Sequence, residues 1–402
     1  MVKPQPLPYM ISGNTTKSAF LRSGAYTLML SLLFILLTRA DHPAGAVFTA
    51  LPYFIVLYFI FFSTGKPEVS QWLRAQMRSD VKRIILFPFL LIALYYSYII
   101  INGDNPLKGT VFLVPYLILF PVLVFAAKNK TGEQIDWLDF ITLALFVLPV
   151  TLVGIELKGD LPYTGGSFDS VYRIIIMLTA VFAFVTVRNI HDVGCYPVFR
   201  WKSLLTVLWV WLVFYVLVFA IGYGVDFIRF SAEYHLNMSV AEKIGTGFIA
   251  IFLHTALFEE LVFRGLLQNI LGKRIDQSRS WMVFWGWGLG ILLLLAFLAG
   301  YTLQGGMHWF PALITLLLFG VAFGLIKWGG LKAGDYTSLA ITSVLFGVVH
   351  HHSGSIIFVG LACIGGWAYG YCYLKTRNVF YAALLHALVN SSPLIFGLEL
   401  AK

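Results

Sequence analysis

Glu259 and Glu260 stand side by side inside FIAIFLHTALFEELVFRGLLQNIL, an apolar stretch long enough to cross a membrane. The other apolar stretches of that length carry no Asp, Glu, Lys or Arg in their interiors. A charged side chain in hydrocarbon costs at least ~2.5–3.5 kcal/mol on insertion scales, so such residues are rare and are either functional or tightly paired. Residues four apart on a helix share a face, which lets Glu260 pair with Arg264 and turns Glu259 about 100° away from that pair. One carboxylate then serves as a held charge while the other is free to face a cavity. The plain alternative is a charged cytoplasmic helix end. It fits poorly with Leu266, Leu267, Ile270 and Leu271, which carry the apolar run past Arg264.

Histidines supply the second element. In VLFGVVHHH, Phe346 and His350 lie four apart on one face, and in YAALLHALVN so do His386 and Asn390. An imidazole with a carboxamide one turn on offers two polar groups to one cavity, which suits the binding of an oxyanion. An interhelical hydrogen-bond pair is the structural alternative. His351 and His352 read as loop or interface residues rather than as part of a metal-binding tract. At about 1.5 Å of rise per residue, Glu259, His350 and His386 all fall near the middle of a ~30 Å hydrocarbon core. Three helices can therefore bring them to one level.

A carboxylate and an imidazole can together accept hydrogen bonds from one water and deprotonate it as it attacks a carbonyl. A second histidine and Asn390 can hold the developing oxyanion. Together these steps make peptide hydrolysis without a covalent intermediate. A serine mechanism is weaker, because there is no GxSxG elbow and Ser343, Ser353, Ser391 and Ser392 have no evident base. Glu and His can also ligate zinc. HExxH is missing, so no cofactor is expected and metal dependence stays open. Cys195, Cys363 and Cys372 form neither a disulfide framework nor a CxxC site.

The elements that must position these groups follow from composition. The 402 residues are 59% hydrophobic and only 12% charged, with a mean hydropathy of +0.82, unlike a soluble globular domain. Apolar stretches of spanning length lie at about 24–38, 46–63, 84–101, 110–127, 140–155, 174–187, 203–225, 244–271, 281–301, 309–326, 336–350, 355–374 and 378–398. The expected fold is all-α: a polytopic transmembrane helical bundle of about thirteen helices, two more or fewer, since backbone facing lipid must satisfy itself within each segment. The first stretch reads as a retained anchor, because another membrane helix follows at once. Residues 66–83 read as a basic interfacial helix or loop.

Charge tests that count. With the N-terminus cytoplasmic and loops alternating, twenty of the 28 Lys and Arg fall inside, among them Lys3, Arg74, Arg78, Lys130, Arg200, Lys202, Lys273, Arg279 and Arg377. Only Arg39, Lys108, Lys158, Arg173, Arg229 and Lys243 fall outside. The remaining two are Arg264 and the terminal Lys402. This is the positive-inside asymmetry. The net charge of +9 then marks a face beside anionic lipid, and no nucleic acid is needed to explain it.

FEELVFRG matches EExxxR through Glu259, Glu260 and Arg264; Phe346 and His350 match FxxxH; His386 and Asn390 match HxxxN. In this order, each in an apolar helix, they resemble the CPBP family, also called the Abi family, of CAAX-type intramembrane proteases and bacteriocin-processing or immunity proteins. The resemblance covers roughly residues 240–395. It implies that Glu259 and His350 activate water and that His386 and Asn390 form the oxyanion site, with Glu260 and Arg264 in support. It also implies a core of about eight helices around a cavity open to membrane and cytoplasm. Two departures stand out. The segments at 281–301 and 309–326 lengthen the gap between Glu260 and His350, and seven segments precede the motif region.

The organisation expected is a catalytic region at 236–402 behind N-terminal membrane segments at 1–235, some of which belong to the core bundle or bind a membrane protein partner. The function expected is an intramembrane endopeptidase acting on a membrane-associated or lipidated protein within the lipid bilayer. The location expected is a bacterial inner (cytoplasmic) membrane, crossed many times. A non-catalytic membrane scaffold or immunity protein of the same family is the alternative. A transporter comes third, since ion relays usually spread ionisable groups along a path.

Overall fold

Uninterrupted apolar runs, punctuated by short polar loops, fold into fourteen helices and one two-stranded ribbon among the described residues of a computed structural model. Those residues are 13–39, 41–77, 81–103, 112–128, 134–152, 159–162, 170–235, 237–278, 280–303 and 306–400. Lys3, Arg78, Lys108, Lys130, Lys158, Arg279 and Lys402, used above to orient the chain, lie outside them, as do residues 78–80 of the expected interfacial segment. Each of the thirteen expected stretches falls on a helix over its described residues, 110–111 and 153–155 lying outside them. Among the described residues nine helices are long and apolar enough to cross a membrane, which makes this a multi-pass membrane protein with an all-α polytopic bundle.

The chain divides into two units. The first contains α1 (Gly13–Thr38), α2 (Ala44–Thr64), α3 (Pro67–Met77), α4 (Val81–Ile101), α5 (Leu113–Lys128) and α7 (Val171–Val187). In α1, Ser23, Thr27, Ser31 and Thr38 donate to carbonyls one turn back, at 2.7–3.0 Å, so the seam buries hydroxyls already satisfied. Beyond α2, the buried Lys66 ammonium donates to the Ala19 carbonyl at 3.0 Å and sits 5.6 Å from the Tyr26 ring centre. Burial, with Arg22 nearby, pushes it down to about 8.

The second unit holds α6 (Trp137–Leu152), α8 (Trp201–Gly224), β1 (Ile228–Phe230), α9 (Met238–Gln277), α10 (Trp281–Thr302), α11 (Phe310–Lys327), α12 (Ala333–Val349), α13 (Ile356–Thr376), α14 (Val379–Phe396) and β2 (Leu398–Leu400). Its tightest pair is α12 with α13. A Cβ on Gly366 would stand 2.8 Å from the Ser343 carbonyl oxygen, so only glycine lets these backbones come so close. The second half of α9 packs on α12, and α14 packs on α8 and α9. Although it precedes residue 236, α8 contributes directly to this core through Val207, Val210 and Phe214. After α14, Gly397 turns the chain at φ +63°, and β2 pairs antiparallel with β1, Arg229 opposite Glu399. The segment 190–194 docks at the opposite, basic end. There, Asn269 Nδ2 and Lys273 Nζ donate to the His191 carbonyl at 2.8 and 2.6 Å, and Tyr373 Oη donates to that of Asp192.

Candidate active site

The long helix α9 is not uniform. Leu257–Glu260 is a single α-helical turn between two π-helical stretches, Ile251–Ala256 and Leu261–Gln268. Such widened turns are uncommon and collect at functional sites. Both glutamates stand on that turn. Across from it, α12 ends at Val349 and hands over to a short 3-10 turn, His350–Ser353, while α14 carries His386 and Asn390 in mid-helix.

Glu260 is fully buried and its two oxygens are divided between two partners. Arg264 Nε donates to Oε2 at 3.0 Å, the expected i,i+4 pair, and His386 Nδ1–H donates to Oε1 at 2.9 Å. The ion pair matches the helix-face reading; the bond to His386 was not part of it. Arg264 lies 5.1 Å from the Phe346 ring centre and reaches the Thr342 hydroxyl from Nη1 at 3.5 Å. Thr342 Oγ1 donates to the Ser338 carbonyl at 2.8 Å, and Gln268 Nε2 donates to that of Gly370 at 3.3 Å. A buried carboxylate, guanidinium and imidazole thus neutralise and bond one another, as charges in low dielectric must.

His350 is held differently. Its Nδ1 stands 2.7 Å from the Phe346 carbonyl oxygen, which can only accept. Nδ1 therefore carries the proton, and Nε2 of the neutral ring is left as a lone pair. Phe346 also packs against this ring at 4.6 Å and edge-on to His386 at 5.8 Å, so the FxxxH phenylalanine fixes both imidazoles. Tyr369 stacks on the other side of the picture, parallel to His386 at 4.5 Å and 9°. Glu259 is half-buried; its Oε2 is enclosed with no hydrogen-bond partner among the described residues, and its charge is within reach of His350.

Phe346, His350, His386, Asn390 and Tyr369 face a cavity of about 470 Å³, otherwise walled mostly by apolar side chains such as Phe214, Phe358 and Val389. Glu260 and Arg264 are fully buried within the protein that supports it. The seven residues singled out in the sequence are gathered from three helices of one unit; Glu259 and Asn390 make no bond or ring contact with the other five, and Glu259 lies behind the cavity wall rather than among the residues that line it. The cavity runs from His386 along α8 and α14 to Ile228 and Leu398 of the ribbon, away from Lys273 and Arg377.

Three contributors escaped the sequence reading. Gln268 lies one turn beyond Arg264, and Thr342 one turn before Phe346, so continuing each i,i+4 series by a step would have found them. Tyr369 lies outside all three motifs, and nothing in its own sequence neighbourhood distinguishes it. Among the described residues no group of three His, Cys, Asp or Glu side chains is arranged to hold a metal ion. Residues 243–330 and 326–392 match the family model described as type II CAAX prenyl endopeptidase Rce1-like. No curated protein and no solved structure matches the chain significantly.

Proposed function

We propose, from the premise that residues 243–392 belong to the CPBP family of CAAX-type intramembrane proteases, that this protein is an endopeptidase using a glutamate-activated water. In this reading Glu259 and His350 Nε2 accept hydrogen bonds from one water. Its oxygen attacks the scissile carbonyl, one proton passes to Glu259, and the carbonyl electron pair moves onto oxygen. Asn390 and, when doubly protonated, His386 bind that oxyanion. The protonated base then delivers its proton to the leaving amine. Glu260 acts as the fixed counter-charge that holds His386 and Arg264.

The observation that carries this reading is the enclosed, unpartnered Oε2 of Glu259 beside a histidine whose Nδ1 is already committed to a backbone carbonyl. A buried carboxylate oxygen without a partner is costly, and a bound water is the natural occupant. The apolar walls suit a substrate that is membrane-associated or lipidated. We propose a bacterial inner membrane on the family resemblance, and a cytoplasmic N-terminus on the charge asymmetry of the loops. The segments before residue 236 offer surface for a membrane protein partner.

The test compares the purified wild type with Glu259→Gln and His350→Ala, with and without chelator. Two quenched-fluorescence probes serve: a farnesylated CAAX peptide and an unlipidated apolar peptide, with products read by mass spectrometry. Cleavage lost in both variants and indifferent to chelator supports the glutamate mechanism. Loss on chelation, restored by zinc, replaces it with a metal-dependent one. Wild-type-like function of Glu259→Gln in cells favours the scaffold reading.

A further inference from the structure

The oxyanion site just proposed has a gap that its own hydrogen bonds create. His386 Nδ1–H is given to Glu260, so a neutral His386 presents a lone pair at Nε2 and no donor. It can bind an oxyanion only as an imidazolium. His350 is in the same position, with Nδ1 bonded to Phe346. With both rings neutral, Asn390 would be the sole donor among the proposed site residues facing the cavity.

Tyr369 stands where a further donor is needed. It lies in mid-helix on α13, its ring parallel to His386 at 4.5 Å and edge-on to Phe346 at 5.7 Å, so the position of the phenol is set by the same two residues that set the imidazoles. Only 3% of the residue is exposed, and it forms part of the cavity wall. Its hydroxyl makes no hydrogen bond with any described residue. Gly365 lies one turn before it; a Cβ there would be 3.5 Å from the Tyr369 oxygen, so the missing side chain leaves that oxygen uncovered. A tyrosine used only for packing would bury this hydroxyl against a partner or be replaceable by phenylalanine. The charged groups within reach of the phenol are Glu259, Glu260 and Arg264, all on α9. The other titratable groups near it are His386, stacked on its ring, and His350 at the end of α12.

We propose that Tyr369 is a further catalytic residue, donating a hydrogen bond from its hydroxyl to the carbonyl oxygen of the scissile peptide alongside Asn390. The inference rests on the hydrolase reading above. As water adds, a carbon–oxygen bond forms and the carbonyl electron pair moves onto oxygen; the phenol bonds that oxygen while keeping its own proton. No oxidant or further reactant is required.

Tyr369→Phe, full-length and in detergent, tests this with the same two probes. Loss of one oxyanion donor reduces kcat by about 10²–10³-fold in a well-studied hydrolase. With Asn390 retained, the expectation is a loss of about 10–100-fold in kcat, with KM and melting temperature close to wild type. The split between kcat and KM separates a donor from a packing residue: a lost donor lowers kcat alone, whereas lost packing lowers the melting temperature as well. Should the phenylalanine variant fail to fold, Gly365→Ala lays a methyl over the hydroxyl at van der Waals distance and should also lower kcat. Wild-type kcat in folded Tyr369→Phe overturns the inference and leaves the hydrolase reading intact. Probes untouched by wild type and variants alike overturn both.

Discussion

Replacing Glu260 by glutamine separates the two tasks its carboxylate performs. The side chain is fully buried, with Arg264 on one oxygen and His386 on the other. Glutamine keeps the shape but leaves the guanidinium uncompensated, and breaking a buried pair from one side costs about 3–5 kcal/mol. For a unit of this size that should lower the melting temperature by on the order of 10 °C. Activity should fall for a second reason. His386 loses the acceptor that fixes its tautomer, a loss worth on the order of 10⁴-fold in kcat for a comparable carboxylate–imidazole pair. The double variant Glu260→Gln with Arg264→Met distinguishes these effects, because removing the guanidinium as well leaves no uncompensated buried charge. Its melting temperature should return toward wild type while cleavage of the peptide probes stays lost. If the double variant regains activity, Glu260 merely neutralises Arg264. If Glu260→Gln melts like wild type, the buried pair does not support the fold as argued.

Other outcomes follow from single contacts. Gly366→Ala drives a methyl to 2.8 Å from the Ser343 carbonyl; forcing α12 from α13 should cost about 1–3 kcal/mol and abolish cleavage, whereas Gly290→Ala, with nothing within 4 Å of the new Cβ, should melt and cleave like wild type. Thr302→Val removes the 2.7 Å bond from α10 to His351, beside His350. It should change the melting temperature little, the bond being exposed, but should lower kcat if α10 and α11 brace the His350 turn. Lys66, pushed down to about 8 in the folded protein from an ordinary value of 10.5, makes the unfolded chain the better proton binder between those values. Thermal stability should therefore rise with pH across that window, and Lys66→Met should flatten the rise; an unchanged slope would refute the assignment.

Helix number and most of the site were legible because membrane solvation is strict. Each of the thirteen apolar stretches had to become a helix, and a carboxylate in such a helix had to be paired or used. That logic reached the Glu260–Arg264 pair from spacing alone. It could not reach the Glu260–His386 bond, which joins residues 126 apart and depends on how α14 rotates against α9. It assigned His386 to the oxyanion without seeing that Nδ1 was already committed. The π-helical stretches flanking the two glutamates were equally hidden, since no local residue type marks them. The membership of α8 in the second unit was left open, because a uniformly apolar helix does not say which neighbours it prefers. Tyr369 was invisible for a simpler reason: a lone aromatic on a buried helix looks like core until its free hydroxyl and the uncovered face at Gly365 are seen together.

The central claim is that Glu259 activates a water for attack on a peptide carbonyl. Cleavage of the probes by wild type and Glu259→Gln in ¹⁸O-labelled water, with the products weighed by mass spectrometry, tests it most directly. The account predicts one heavy oxygen in the new carboxylate of the wild-type product and no product from folded Glu259→Gln. Product formed by Glu259→Gln at the wild-type rate would contradict it.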